Sequence, residues 1–297
     1  MKSTQSPRGT APWRAVPAIG LLVLLTAAPL GCAVQAPDAK STDTKPAAET
    51  SANVASSNAT QPATATASDA GTVDAQAIAA LDRMGAYLRS LKSFSVKGAS
   101  TFDLVSEDGQ RVEIPATLEY QVRVPDGLRM HVRSDHKERE VVYDGRTLTV
   151  YSPKEKYFAT VDAPATLHEL VNVAATKYGI ELPLADLFLW GTPQAPNSAV
   201  TDASAIGPAI IDGVPTQQYA FRQGGTDWQV WIADGAQPVP RRIVITTTTD
   251  PARPQYATML TWNTSAAPAP STFAFTPPAG AQRIELVQVA AVEEKSP

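Results

Sequence analysis

The sequence predicts an α+β protein, an unclosed antiparallel β-half-barrel covered by helices. Three observations carry that expectation. Short runs of alternating apolar and polar residues recur from residue 93 onward, cut by the turn signals Asp108-Gly109, Pro125-Asp126-Gly127 and Asp144-Gly145. Helical spacing appears in two places, one ahead of the strands and one interrupting them. A sheet with one apolar face needs a cover, and these two segments are placed to supply it. An incomplete barrel capped in this way fits better than a small closed barrel, which needs no helix between its strands.

The first helix rests on Ile78, Leu81, Met84, Leu88 and Leu91, which fall at steps of three and four and form one stripe. "LKSFSVKGASTFDLV" then switches to period two, with Phe94, Val96, Phe102 and Leu104 on one side and Ser95, Lys97 and Asp103 on the other. "RVEIPATLEYQVRV" carries Val112, Ile114, Leu118, Tyr120, Val122 and Val124. "LRMHVRS" sets Leu128, Met130 and Val132 against Arg129, His131 and Arg133. "REVVYD", "TLTVYSP" and "KYFATVD" complete a meander of about five strands.

The pattern breaks at Pro164. "ATLHELVNVAATKYG" reads as a helix, with Thr166 as N-cap, Glu169 closing a capping box and Gly179 as the stop. "IELPLADLFLWG" adds a loop and a short apolar helix, so that Leu167–Trp190 forms a helical insert. Strands resume in "AIIDGVPTQQYAFRQ", "TDWQVWIAD", "PRRIVITTTT" and "PQYATMLTWN", four or five in all. Pro277-Pro278-Ala279-Gly280 begins the exit, and "IELVQV" is a last strand or an edge segment.

The N-terminus is a different material. Lys2, Arg8 and Arg14 precede an apolar run centred on "AIGLLVLLTAA", the pattern of a secretory signal peptide. The run is short for a spanning helix, and Pro17, Gly20 and Pro29 weaken it further. It ends at Cys32, the sole cysteine, which excludes an internal disulfide and a cysteine-rich zinc site. Leu30-Gly31-Cys32 resembles the bacterial lipobox, in which the cysteine becomes the lipidated first residue; Pro29 stands where that pattern prefers Leu. A cut after Ala33 by ordinary signal peptidase, and an incidental cysteine, stand beside that reading. The stretch 32–72 is rich in Ala, Thr, Ser and Pro with no aromatic residue, and it reads as a disordered tether. The expected organisation is therefore 1–31 signal peptide of lipoprotein type, 32–72 tether, 73–290 folded domain and 291–297 tail.

Removing a leader that contains three basic residues takes the net charge from −4 to −7. A mildly acidic chain with no basic run is not a nucleic-acid binder. His131, His136 and His168 have no metal-ligand spacing and read as surface or strand-edge imidazoles. There is no G-x-S-x-G elbow, phosphate loop or dinucleotide fingerprint, so no enzyme, cofactor or metal is expected.

What remains is apolar surface set in alternating strands beneath a helical insert, the makings of a lipid cavity with a helical lid. The candidate wall comprises Leu118, Tyr120 and Met130 from the first strands and Leu170, Tyr178, Leu187 and Trp190 from the insert. Tyr219, Phe221, Trp228, Trp231, Met259 and Trp262 come from the later strands. Trp228 and Val230 share one face and Gln229 and Trp231 the other; both tryptophans are carried, because a one-residue slip in register exchanges the faces.

The run "YDGRTLTVYSPKEKYFATVDAPATLHELVNVAATKYGIELPLADLF", with "DGVPTQQYAFRQGGTDWQVWIADGAQPVPRRIVIT" after it, resembles a family of bacterial periplasmic proteins of unknown function. That family is similar to the superfamily of LolA, LolB, RseB and the LppX-type lipoproteins. The resemblance spans about Ile78 to Phe275 and is most specific at Asp144-Gly145, Pro183-Leu184-Ala185-Asp186 and Asp227-Trp228-Gln229-Val230-Trp231. It implies a LolA-like unclosed barrel with helices over its mouth and an interior that holds acyl chains. The expected function is an exported envelope protein, lipid-anchored to a membrane (the outer membrane favoured) through Cys32 or soluble in the periplasm if Cys32 is not lipidated, that binds a lipid, a lipoprotein acyl chain or another hydrophobic ligand. The alternative is a structural or regulatory periplasmic protein acting through protein contacts with no ligand.

Overall fold

The computed structural model describes residues 72–185, 189–193 and 195–288. The expectations for the signal peptide, Cys32, the tether up to residue 71, Leu187 and the tail lie outside them.

Helix α1 (Ala75–Ser90) is capped by Asp74, whose carboxylate accepts from the Gln76 N–H at 2.7 Å, and it buries Leu81, Met84 and Leu88. Six strands follow: β1 (Ser93–Val105), β2 (Arg111–Arg123), β3 (Gly127–Ser134), β4 (Glu138–Tyr143), β5 (Thr147–Ser152) and β6 (Tyr157–Asp162). Helix α2 (Leu167–Tyr178) interrupts them, and then come β7 (Asp202–Ile211), β8 (Val214–Gln223), β9 (Thr226–Ala233), β10 (Pro240–Thr247), β11 (Gln255–Asn263) and the two-residue β12 (Gln282–Arg283).

All twelve strands belong to one sheet in the order β12-β6-β5-β4-β3-β2-β1-β11-β10-β9-β8-β7. The two ends of that order do not pair, so the barrel is unclosed, and every pairing is antiparallel except β12 with β6. The first and second strand groups meet at one seam, β1 against β11, where Val96 lies opposite Trp262 and Gly98 opposite Leu260.

The alternation determines the faces. Phe94, Tyr120, Val122, Leu128, Met130, Val141 and Leu148 from β1 to β5 join Tyr219, Phe221, Trp228, Val230, Ile243 and Leu260 from β8 to β11 in one buried cluster. The α1 stripe and Leu170 and Ala174 of α2 belong to the same cluster, so both helices cover the inner face. Removing this apolar surface from water is the main term holding sheet and helices together. A smaller second cluster, Ile211, Trp231 and Val244 with Ala257 and Met259 against it, lies on the outer face of the second strand group.

The cover helix forms where the capping signals lie. The Thr166 hydroxyl accepts from the Glu169 N–H at 3.3 Å and donates to the Glu169 carboxylate at 2.9 Å. Gly179 ends α2 at φ 62°, a left-handed conformation that a side chain would strain, and its N–H reaches back to Ala174 and Ala175 carbonyls. The chain entering α2 is tied to the strands by Tyr143, whose hydroxyl donates to the Pro164 carbonyl at 2.6 Å. Burial pushes that phenol up to about 12, with Asp126, Asp144 and Glu169 adding to the shift.

One expectation is corrected and one alternative is decided. The meander before α2 has six strands rather than about five, since "REVVYD" and "TLTVYSP" are both full members. Residues 284–288 of "IELVQV" form no strand, and of the two alternatives the edge segment holds, through Ile284. The pairing falls just ahead of it, at Gln282 and Arg283 beside Tyr157 and Phe158, and it ends once the Ile284 N–H has donated to the Phe158 carbonyl. Ile284 and Val287 are 48% and 81% exposed, and Leu286 packs partly buried against the inner-face core without continuing the ladder.

Candidate functional site

A cavity of about 190 Å³ lies between the inner face and its helical cover. The strands supply Phe94, Tyr120, Val122 and Leu128, and the β2–β3 turn supplies Val124; α1 supplies Leu88 and Arg89; α2 supplies Leu167, His168 and Val171. Leu182, Ala185 and Leu189, from the stretch after α2, complete the wall. These positions follow from the two periodicities. Phe94, Val122 and Leu128 face each other across β1, β2 and β3 in register, while Leu167 and Val171 stand one turn apart on α2.

The wall is apolar apart from Arg89, His168 and the Tyr120 hydroxyl. That hydroxyl donates to the Pro183 carbonyl at 2.6 Å, which fixes the stretch after α2 onto β2. The same stretch is held to α1. Arg89 Nη1 donates to the Trp190 carbonyl, and Asn197 Nδ2 donates to Asp82. Gly85 permits that approach, because a Cβ there would stand 2.9 Å from the Trp190 carbonyl oxygen and 2.8 Å from the Arg89 guanidinium.

Beside the cavity sits an aromatic group. Phe221 stacks on Trp228 at 4.3 Å between centroids, and Trp190 meets Trp228 edge-on at 4.9 Å and 66°. Trp190 and Trp228 are buried, and neither indole Nε1 has an acceptor among the described residues. Farther along the inner face Ser100 bridges Tyr256 at 3.0 Å and Thr258 at 2.9 Å, a buried hydroxyl cluster whose members satisfy each other.

The sequence-derived candidates divide by place. Tyr120 lines the cavity. Leu118, Met130, Leu170, Trp190, Tyr219, Phe221 and Trp228 are buried in the inner-face core around it, and Tyr178 packs half-buried at the end of α2. Trp262 is also half-buried on that face, its Nε1 donating to the Pro240 carbonyl at 2.8 Å and its ring 5.6 Å from Phe94. Trp231 and Met259 lie on the outer face, where Arg242 covers the Trp231 ring at 5.0 Å, so neither reaches the cavity. The register is the reason: Trp231 is one residue from Val230, which points inward opposite Ile243. Leu187 lies outside the described residues.

His168 corrects the surface reading, since it lines the cavity on the inward side of α2. The signal was available in its position one residue after Leu167 and three before Val171. His136 is exposed in the β3–β4 turn. His131 borders a polar hollow of about 270 Å³ on the outer face with Glu119, Gln121, Arg129, Glu138, Glu140 and Pro153. Its charges are paired among themselves and with neighbours: Lys97 with Glu119 at 3.2 Å, Arg129 with Glu140, and Glu138 with His131 at 2.7 Å and Arg133 at 3.2 Å. Burial works to raise the Glu138 carboxyl, and the hydrogen bonds from His131 and Arg133 outweigh it and hold it below its ordinary value. Among the described residues no group of three His, Cys, Asp or Glu is arranged to hold a metal.

A family model described as "Predicted periplasmic protein (DUF2092)" matches residues 77–287. No curated protein matches the chain significantly. Solved structures that it resembles include the lipoprotein LppX of Mycobacterium tuberculosis, 16% identical, covering 65% of this chain and 98% of that one at a TM-score of 0.42. A LolA superfamily protein from Nitrosomonas europaea is 11% identical, with 67% and 97% covered and a TM-score of 0.33. The Pseudomonas aeruginosa MucA/MucB complex matches at 17% identity, 68% of this chain and 62% of that chain, with a TM-score of 0.37.

Proposed function

The chain belongs to the DUF2092 family of predicted periplasmic proteins, and from that premise we propose that it is an exported envelope protein that holds the acyl chain of a lipid or lipoprotein in its inner-face cavity. The supporting observation is the cavity itself, an apolar space between sheet and helical cover. Each methylene moved into it contributes about 0.8 kcal/mol. A segment of about six carbons therefore yields about 5 kcal/mol before association and ordering costs. In this reading Cys32 is acylated, residues 32–72 tether the domain, and the membrane is the outer one. Multiple acyl chains meet the requirement of more than one for stable anchoring.

At about 190 Å³ the space is smaller than the roughly 300–1,000 Å³ of ordinary ligand pockets. It is close to the roughly 150 Å³ engineered cavity that takes benzene. In this reading the space accepts a short chain segment and widens for a longer one by displacement of α2.

The test is mass spectrometry on protein purified from native membranes in mild detergent. A mature start at Cys32 with acyl mass, and lipid released at one per chain on denaturation, is the expected result. Protein that carries no lipid at any stage of purification overturns the reading. Val171→Phe, which fills the cavity from α2, is expected to abolish lipid retention while changing stability by about 1 kcal/mol or less.

A second reading, action through protein contacts, draws on β7. This end strand of the sheet exposes Ile206 and Ile210, the latter at 73%, and its edge beyond Ala205 is unpaired among the described residues. A partner captured equally by wild type and Val171→Phe would favour it.

A further inference from the structure

The cavity wall holds two polar side chains whose chemistry its apolar lining does not require, Arg89 and His168. Arg89 sits in the last turn of α1 and His168 in the first turn of α2. The ends of the two cover helices thus bring a cation and an imidazole to one space. Arg89 is exposed and Val124 beside the same cavity is 40% exposed, so this side is the one that meets solvent. An arginine that served only its helix end would turn into water; this one lines the cavity, its guanidinium donating to the Trp190 carbonyl.

Three acids of the two helices and the β2–β3 turn are engaged elsewhere. Asp82 accepts from Asn197, Asp126 pairs with Arg123 at 3.1 Å, and Glu169 accepts from Thr166. Arg89 has no carboxylate partner among the described residues. A guanidinium carries five donors in a planar fork, and one bond to a backbone carbonyl leaves the others for a second acceptor.

Resting on the reading of this space as a lipid cavity, we propose that its ligand is a single-chain amphiphile ending in an anion, a carboxylate or a phosphate. The tail lies against Phe94, Val122, Leu128 and Val171, and the head lies at the mouth between Arg89 and His168. The size of the space favours one chain over two, and the charge at its mouth favours an acid over an alcohol or an ester. Arginine matches both carboxylate and phosphate geometry, so the shared chemistry is an anionic oxygen pair.

The test is isothermal titration of the delipidated full-length protein with palmitate, hexadecyl phosphate and hexadecanol, each kept below the concentration at which it forms micelles or separates. An exposed ion pair is worth a few-fold, so palmitate or hexadecyl phosphate, or both, should bind about three- to fivefold more tightly than hexadecanol. Which anion is preferred distinguishes a fatty acid from a phospholipid-type head. The preference should shrink in high salt. It should vanish in Arg89→Gln, persist in Arg89→Lys and weaken in His168→Gln, which carries the test should Arg89→Gln fail to fold. Equal binding of all three probes by wild type, or an anion preference unchanged in both Arg89→Gln and His168→Gln, overturns this proposal and leaves the cavity reading intact. Binding of none of the three overturns the cavity reading and this proposal together.

Discussion

At the scale of single residues, the charged groups that matter for stability sit on turns rather than in the cavity. Asp227 receives Arg222 Nε at 2.7 Å across the β8–β9 hairpin and Arg253 Nη2 at 3.0 Å from the β10–β11 turn, so one carboxylate ties that hairpin to that turn. The Arg222 hydrogen bond, with Arg253 adding, outweighs a modest burial and holds this carboxyl below its ordinary 3.8. A carboxyl depressed by folding stabilises above its unfolded value, and the contribution is lost as pH falls through its folded value. Asp227→Asn is therefore expected to cost about 1 kcal/mol at neutral pH, with the difference from wild type disappearing in acid. Urea midpoints of both proteins at pH 7 and near pH 2.5 check this; a difference that persists in acid would mean that packing, and not charge, is what Asp227 supplies.

At the scale of elements, α2 is short, and of its residues only Leu170 and Ala174 are buried. Its hold on the sheet is modest, so its caps carry a large share of its order. Thr166→Ala is expected to cost about 1 kcal/mol. That loss should appear as faster amide exchange in 167–178 with the strands unchanged, measured by hydrogen–deuterium exchange. This element was legible in the sequence because a capping box and a terminal glycine are local chemistry. The strands were legible for a similar reason: period two in Phe94, Val96, Leu118 and Tyr120 needs no tertiary information. What was not legible was which long-range pairs form. The seam of β1 with β11 joins residues far apart in the chain, and nothing local in either strand specifies the other. The cavity suffered in the same way. Large aromatic residues such as Tyr219, Phe221 and Trp228 drew attention because they are large, but large residues fill space. Apart from Phe94 and Tyr120, the wall is made mostly of smaller neighbours such as Val122, Leu128 and Val171, facing the space where two helices and three strands fail to meet. The face of Trp231 depended on register, which alternation alone leaves two-valued.

At the scale of the molecule, one ladder couples two strand groups. Ala99 lies in the middle of β1, paired with Thr117 of β2 on one side and Met259 of β11 on the other. Proline there removes a ladder hydrogen bond in a central strand. Ala99→Pro is expected to cost 3 kcal/mol or more, about the penalty of an interior proline, and to expose the facing edges of both groups. Soluble yield and melting temperature would read this; a variant that melts like wild type would mean that the two groups hold together through the helices instead. The contact between Trp190 and Trp228 has a consequence of another kind. One indole is borne by the fixed sheet and the other by the stretch that covers it, their rings 4.9 Å apart and steeply inclined. Two indoles so close couple their strong far-ultraviolet transitions, and the coupling adds a paired circular dichroism band that neither ring gives alone. The protein thus carries its own optical gauge of whether the cover is in place, readable without a label.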